Sequence, residues 1–248
     1  GRYLMWGDRT LAIMERIIRQ VVKDRRTIAL IIVAPVIVMS LVGFSLTEQK
    51  EILNRIAPGL LAVFVFFFTF MLTGVSFLRE RAEGTLERLL TTTVGRTDIL
   101  GGYFLAFLVF AIIQTFVILA FTILVLQISY KGNLYDIVAL LMLWVIVPVS
   151  LGIFISTFAR NEFQVIQFIP VIFAPQLFLS GVIIPVKQMP LILEWISNVL
   201  PLTYAVEGLQ RIMINGDSIL DVWLELAVIS GFGAVLLIAS AATLRRMR

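Results

Sequence analysis

Long apolar segments dominate this sequence and restrict the folds open to it. A helix needs about 20 apolar residues to cross a hydrocarbon core of about 30 Å. Six segments meet or approach that length: 27–46, 57–78, 99–126, 137–158, 165–184 and 222–244. Because backbone polar groups must be paired inside lipid, such spans fold as helices. The sequence therefore predicts an all-α polytopic membrane protein, with six transmembrane helices in a single domain over 1–248.

The composition supports lipid-facing helices and not a soluble core. Hydrophobic residues make up 60% of the chain and charged residues 15%, whereas soluble domains carry about 25% charged residues. Proline interrupts two of the predicted spans, with Pro148 in the fourth and Pro170 and Pro175 in the fifth. Since proline removes a backbone hydrogen bond, we expect kinks at these positions.

The distribution of basic residues predicts the orientation. Of the 20 Lys and Arg residues, 15 lie before the first span, between spans two and three, between spans four and five, or in the tail. Cytoplasmic loops carry this excess, so both termini are expected in the cytoplasm. The first 26 residues are charged and amphipathic, which indicates that no cleavable signal peptide is present.

Two further segments are expected to form short helices beside the spans. Residues 8–26 place apolar Leu11, Met14, Ile18, Val21 and Val22 on one helical face and basic residues on another, which predicts an interfacial helix. The alternative is a basic flank that only anchors the first span. Residues 181–221 combine three prolines with apolar residues, which favours short re-entrant or extracellular helices over a polar linker.

The connection between spans two and three, residues 79–98, has the features of a docking helix. Thr85 can cap a helix, Glu87 lies in its first turn, and Leu86, Leu89 and Leu90 form a short apolar stripe. Such a helix is suited to a cleft in a cytoplasmic partner. A solvated helical loop explains the same pattern equally well.

Several kinds of chemistry are missing from the sequence. The chain contains no cysteine and no histidine, which excludes thiol catalysis, imidazole catalysis and Cys/His metal sites. It has no GxxxxGK[ST] phosphate-binding loop. No ionisable residue lies near the centre of a predicted span, which disfavours an ion-coupled carrier. We therefore expect no catalytic residue, cofactor or metal in this chain and no nucleic-acid partner. If the chain takes part in active transport, the energy must come from another subunit.

Aromatic and amide side chains suggest a path for cargo. The candidates are Phe64, Phe67 and Phe68 in the second span and Gln167, Phe173 and Gln176 in the fifth. A face that mixes Phe with Gln suits amphipathic or lipid-like cargo. The alternative is that these phenylalanines only pack or face lipid.

Two motifs resemble segments of a known family. The first is Arg-Glu-Arg-Ala-Glu-Gly-Thr-Leu-Glu-Arg-Leu-Leu-Thr-Thr over 79–92. The second is Phe-Leu-Ser-Gly-Val-Ile-Ile-Pro over 178–185, followed by Met-Pro at 189–190 and Leu-Pro-Leu-Thr-Tyr at 200–204. Together they are similar to the membrane subunits of type-two ATP-binding-cassette (ABC) exporters.

The resemblance implies an assembly and a set of roles. A homodimer or pseudo-dimer of such chains would sit on two cytoplasmic ATPase subunits, which would bind ATP and Mg. Residues 8–26 would form a connecting helix, and the second and fifth spans would line the path at the dimer axis. The implied ATPase-coupling residues are Arg81, Glu83, Gly84, Thr85, Leu86, Glu87 and Leu90. The implied external gate residues are Phe178, Leu179, Ser180, Gly181 and Pro185.

Two departures from the family pattern concern the subfamily. Thr93-Val94 stands where the family often has a proline after the threonine run, and Gly102-Tyr103 stands where it often has Gly-Lys. The expected function is a permease subunit that exports an amphipathic, lipid-linked or drug-like substrate across a prokaryotic plasma membrane. The alternative is a membrane scaffold or assembly factor that recruits a cytoplasmic partner.

Overall fold

A computed structural model describes residues 6–82, 84, 95–159 and 161–246. Every regular element in these ranges is helical, which confirms the predicted all-α class. The α-helices are α1 (Trp6–Lys23), α2 (Arg25–Ser45), α3 (Lys50–Ala82), α4 (Arg96–Ala120), α5 (Leu134–Trp144), α6 (Ile146–Ser156), α7 (Glu162–Leu179), α8 (Leu191–Ser197), α9 (Pro201–Gln210) and α10 (Trp223–Arg246). Two five-residue π-helical segments, Phe121–Val125 and Arg211–Asn215, extend α4 and α9.

Five helical segments in the described part of the chain are long and apolar enough to cross a membrane. They are Thr27–Ser45, Lys50–Ala82, Thr97–Val125, Leu134–Ser156 and Trp223–Thr243. The predicted fifth span is shorter than expected, because α7 ends at Leu179 and not at residue 184. Its 18 residues extend about 27 Å at 1.5 Å per residue, just under the hydrocarbon thickness.

The prolines affect their helices differently. The fourth span is divided at Val145, between α5 and α6. Pro148 has no N–H to offer the carbonyl of Trp144, so an interruption one turn before it is expected. In α7, by contrast, Pro170 and Pro175 lie within a single helix.

The core of the molecule surrounds α3. This helix packs against α6, α9, α4 and α7. Phe66 stacks on Trp144, whose Nε1 donates a hydrogen bond of 3.0 Å to the carbonyl oxygen of Ala62. At the α3–α6 crossing, a Cβ on Gly152 would lie 2.8 Å from Thr73 Cβ and 3.0 Å from the Gly74 nitrogen. Only glycine permits these backbones to come so close.

The N-terminal helix is amphipathic, and the face that it buries overlaps in part with the predicted apolar face. Ile13 and Ile17 are buried, Met14, Ile18 and Val21 are partly buried against the core, and Leu11 and Val22 are exposed. The buried face packs against α4, where a Cβ on Gly102 would lie 2.5 Å from Ile13 Cγ2. The face is set by the position of α4, which periodicity alone does not show.

The predicted boundary of this helix was also wrong. Residues 8–26 are not one helix, because α1 ends at Lys23 and α2 begins at Arg25. Asp24 separates them, and its carboxylate accepts hydrogen bonds from the Thr27 backbone N–H and from the Thr27 hydroxyl. This arrangement is a helix N-cap, which satisfies backbone donors of the first turn of α2.

Short helices do fill the predicted external segment. After a turn at Gly181 with a φ of 89°, the chain forms a 3₁₀ turn over Val186–Gln188, then α8 and α9. The buried face of α9, with Leu202, Ala205 and Leu209, packs on α3 and α10. Helix α9 is therefore part of the core, whereas most side chains of α8 are exposed.

Candidate functional site

A buried carboxylate joins three helices at the end of α3. Glu80 is 7% exposed. Its Oε2 accepts hydrogen bonds from the Tyr103 hydroxyl at 2.8 Å and from Arg16 Nη2 at 3.2 Å, and its Oε1 accepts from Gln20. These partners lie on α4 and α1. A buried charge requires such partners, so the network fixes both helices to α3.

The predicted end of the second span was wrong at this point. The span was expected to end at residue 78, with Glu80 in an exposed connection, but α3 continues to Ala82. Arg16 and Gln20 are four residues apart, and this helical spacing places both on the face of α1 that contacts Glu80. The spacing was the signal for this contact in the sequence. Their partner lies about 60 positions away, so local pattern does not reveal the contact.

Only two of the predicted ATPase-coupling residues lie within the described part of the chain. The Arg81 guanidinium donates a hydrogen bond to the carbonyl oxygen of Ser156, at the end of α6. A cation is favourable at a helix C-terminus. Gly84 has a φ of 68°, a conformation that favours glycine. Glu83, Thr85, Leu86, Glu87 and Leu90 lie outside the described residues, and their roles stay predictions.

The structure brings some of the predicted path residues together. Phe67 of α3 and Phe173 of α7 have ring centroids 4.8 Å apart, and Phe68 packs edge-on against Phe67 at 5.1 Å. Phe64 contacts Phe68 on the same helix at 6.2 Å. The aromatic side chains therefore form one cluster where α3 meets α7.

The two predicted path glutamines have different surroundings. Gln167 is exposed. Gln176 is buried, and its Oε1 accepts a hydrogen bond of 3.3 Å from the Leu202 backbone N–H in the first turn of α9. The contact gives Gln176 a part in helix packing, and the assignment of both residues to the path stays a prediction.

The predicted gate residues lie beside the later part of the same motif. The Leu179 carbonyl oxygen accepts a hydrogen bond of 2.6 Å from the Ser197 hydroxyl. Ser180 is buried, Phe178 is exposed, and Pro185 precedes the 3₁₀ turn. On the other side of this junction, the Thr203 hydroxyl donates to the Ser197 carbonyl oxygen at 2.8 Å, and the Tyr204 hydroxyl donates to the Asn198 carbonyl oxygen at 2.8 Å.

A cavity of about 850 Å³ lies beside this junction. Its lining includes Arg55, Lys187, Glu194 and Glu207 together with apolar residues such as Val182. Burial, followed by the negative charge of Glu225, raises the pKa of Glu207 above its usual range. Arg211 and Lys187 oppose this rise.

Arg211 holds the junction between α9 and α10. Its guanidinium donates to Glu225 Oε1 at 2.8 Å, to Asp217 Oδ2 at 2.9 Å and to the Asp221 carbonyl oxygen at 3.0 Å. The hydrogen bonds to Glu225 and Asp217 raise the pKa of Arg211 further above its already high value. It therefore remains a cation that links the two helices.

A second cavity, of about 610 Å³, lies between α2, α3 and α4, and we call it the α2–α4 cavity. One face of α3 lines its length, with Phe68, Met71, Leu72, Val75, Ser76 and Arg79. Thr27 and Ile31 of α2 and Gln114 of α4 complete the lining, and Asp24 lies at the same end as Arg79. This cavity was not predicted from the sequence, because the cavity depends on the packing of three separate helices.

Comparison with known proteins identifies the family. The family described as ABC-2 type transporter matches residues 8–214. The chain belongs to the ABC-2 type transporter family. The predicted resemblance is therefore confirmed, and the protein is a multi-pass membrane protein of a transporter family. This family match was anticipated by the motifs over 79–92 and 178–204, which lie within the matched region.

Three known proteins are similar over much of the chain. ABC transporter G family member 20 of Dictyostelium discoideum is 29% identical over 73% of this chain and 25% of its own length. The probable multidrug ABC transporter permease YbhS of Escherichia coli is 26% identical over 65% of this chain and 43% of its own length. The linearmycin resistance permease protein LnrN of Bacillus subtilis is 29% identical over 80% of this chain and 51% of its own length. The chain thus spans between a quarter and about half the length of these relatives.

Proposed function

We propose that this chain is the permease subunit of an ATP-driven exporter and that separate ATPase subunits supply the energy. Family membership supports this proposal, as do the names of two relatives, a probable multidrug permease and a linearmycin resistance permease. ATP and Mg would bind in the partner ATPase. Both termini would lie in the cytoplasm, and a prokaryotic plasma membrane is the proposed location.

The observation that carries this proposal is the continuity of α3. This helix runs without interruption from Lys50 to Ala82, which corresponds to about 50 Å at 1.5 Å per residue. One end immediately precedes the predicted coupling residues. Near the other end, a Cβ on Gly59 would lie 2.7 Å from Val182, next to the predicted gate. A displacement at one end would therefore be carried to the other.

The hydrogen bonds of Glu80 also connect the end of α3 to α1. Because Glu80 binds Arg16 and Gln20 of α1, a movement of α1 also moves the end of α3. In the proposed cycle, ATP binding closes two ATPase subunits against the coupling segments of two permease copies. The paired chains then open outward and release substrate.

The exposed side of α7 suits the proposed pairing of two copies. Phe163, Ile166, Val171 and Phe178 are exposed apolar residues at near-helical spacing on this helix. The aromatic cluster with Phe67 and Phe173 lies at the contact between α7 and α3. An amphipathic, lipid-linked or drug-like substrate would pass between these helices and their copies.

Substitutions that place a cation in the coupling segment test the proposal. In vesicles that contain the chain and its ATPase, Glu83→Arg or Leu86→Arg should leave membrane insertion intact and lower substrate export per ATP hydrolysed by about tenfold. Lys50→Glu, at the opposite end of α3, is the matched control and should keep normal coupling. Wild-type export per ATP in both coupling variants would contradict the assigned role.

A further inference from the structure

The α2–α4 cavity has the size and wall chemistry of a ligand site. Its volume of about 610 Å³ lies in the range typical of small-molecule pockets, about 300–1,000 Å³. Ile31, Phe68, Leu72 and Val75 provide apolar walls. The lining face of α3 extends over twelve positions from Phe68 to Arg79, or about 17 Å at 1.5 Å per residue. An elongated hydrocarbon chain matches this shape.

A buried polar side chain contributes to the lining of this cavity. Gln114 lines it and is 1% exposed. Neither its Nε2 nor its Oε1 has a hydrogen-bond partner among the residues that the structure describes. A buried amide without partners is costly, and each atom needs a different kind of partner. Hydrocarbon satisfies neither atom and an ester carbonyl satisfies only the donor, whereas a hydroxyl or an amide satisfies both.

Charges of both signs mark one end of the cavity. Arg79 Nη1 lies 3.7 Å from Asp24 Oδ2, and the two side chains are 46% and 39% exposed. A guanidinium binds phosphate and a carboxylate binds ammonium groups. Thr27 and Ser76 add hydroxyl groups near this end of the lining. The mouth of the cavity therefore suits a zwitterionic headgroup.

We infer that the α2–α4 cavity binds one zwitterionic amphipath whose hydrocarbon chain carries a hydroxyl or an amide near its middle. The headgroup lies at Arg79 and Asp24, the chain follows α3, and its polar group forms hydrogen bonds with both amide atoms of Gln114. The inference concerns binding by this chain alone. It is independent of the proposed partner ATPase.

Two lipids that differ by one hydroxyl test this inference. The probes are lysophosphatidylcholine with a stearoyl chain and the same lipid with a mid-chain hydroxystearoyl group. The purified full chain is titrated with each, and native mass spectrometry measures occupancy. The wild-type chain should bind the hydroxylated lipid about tenfold more tightly, because only that lipid satisfies Gln114. Equal affinities would overturn the inference.

Three variants test whether Gln114 and the α2–α4 cavity are responsible for this preference. Gln114→Leu should make the two affinities equal, whereas Gln49→Leu, a matched change at an exposed glutamine between α2 and α3, should keep the tenfold preference. Val75→Trp fills the cavity and should weaken binding of both lipids by about tenfold or more. Preference retained in Gln114→Leu, or unchanged binding in Val75→Trp, would overturn the site.

The molecule that co-purifies with the chain identifies the natural source of this ligand. A bound mass that is also present in the total lipid extract assigns the site to a membrane lipid. A bound mass absent from that extract assigns it to a transported molecule. In both cases, fragmentation should give a hydroxylated or amide-containing chain. A plain acyl lipid held equally by wild type and by Gln114→Leu would contradict the inference.

Discussion

Glu80 illustrates how one side chain can determine the arrangement of several helices. Its carboxylate is nearly excluded from solvent, yet it receives hydrogen bonds from Tyr103, Arg16 and Gln20. Three donors compensate the desolvation of the carboxylate. Because these donors come from α1 and α4, removal of any one of them should loosen the end of α3.

The Tyr103 hydroxyl provides the most direct test of this network. Tyr103→Phe removes the 2.8 Å hydrogen bond to Glu80 and retains the edge-on ring contact with Phe77. Since hydrogen bonds to charged groups contribute about 1.5–3 kcal/mol, the free energy of unfolding should fall by about that amount. Thermal unfolding in detergent, followed by tryptophan fluorescence, measures the change. Tyr135→Phe, at a residue that is 83% exposed, is the control and should have no effect. Equal midpoints for both variants would refute the stabilising role of the network.

The raised pKa of Glu207 predicts that the stability of the folded chain depends on pH. Its raised pKa means that the folded chain holds the proton more tightly than the unfolded chain. The contribution to stability is therefore complete below the usual glutamate pKa and is lost as pH rises through the higher folded-state pKa. Glu207→Gln should be more stable than wild type at neutral pH, and the difference should disappear in acid.

Melting temperatures across a pH series measure this effect. Glu51→Gln removes a carboxylate from an exposed position at the start of α3 and is the control. It should show no comparable gain at neutral pH. A Glu207→Gln gain of equal size at every pH would show that ionisation of Glu207 is not responsible.

At the scale of helices, the α3–α6 crossing depends on the absence of a side chain. Gly152→Ala would place a Cβ within 3.0 Å of the Gly74 backbone nitrogen, so one helix must move. Overpacking of this kind costs about 1–3 kcal/mol, and the thermal midpoint should fall accordingly. Gly231→Ala in α10, where an added Cβ has no neighbour within 4 Å among the described residues, should be neutral or slightly stabilising. A neutral Gly152→Ala would mean that the crossing is looser than described.

The sequence predicted the helical class and most of the apolar segments, because length and hydrophobicity determine which segments suit lipid. Helix ends were less predictable. Hydrophobicity ends near Leu78, but backbone hydrogen bonding continues α3 to Ala82. Likewise, α7 ends at Leu179 although apolar residues continue to Ile184.

The candidate site was predicted only in part. Family motifs indicated the segments over 79–92 and 178–204, and the structure joins the second motif internally through Ser197 and Leu179. The contacts of Glu80 with α1 and the position of Gln114 beside α3 depend on distant parts of the chain. A local pattern contains no information about such partners.

For the whole molecule, the number of crossings is the most informative topological question. The chain has no cysteine, so single cysteines can be labelled from either side of the membrane. With both termini in the cytoplasm and α7 crossing the membrane, Glu15→Cys and Asn161→Cys should react on the same side, and Lys187→Cys on the other. All three positions are exposed. Labelling of Asn161→Cys and Lys187→Cys from one side would show that α7 does not cross.

Co-purification tests whether a separate ATPase drives this permease. The tagged chain is extracted gently from its native membrane, its companions are identified, and ATP hydrolysis is measured with and without the chain. We expect an ABC ATPase to co-purify at about one copy per chain, and we expect its rate of ATP hydrolysis to rise on assembly with the chain. A chain recovered alone or only with unrelated proteins would contradict the account and favour a membrane scaffold.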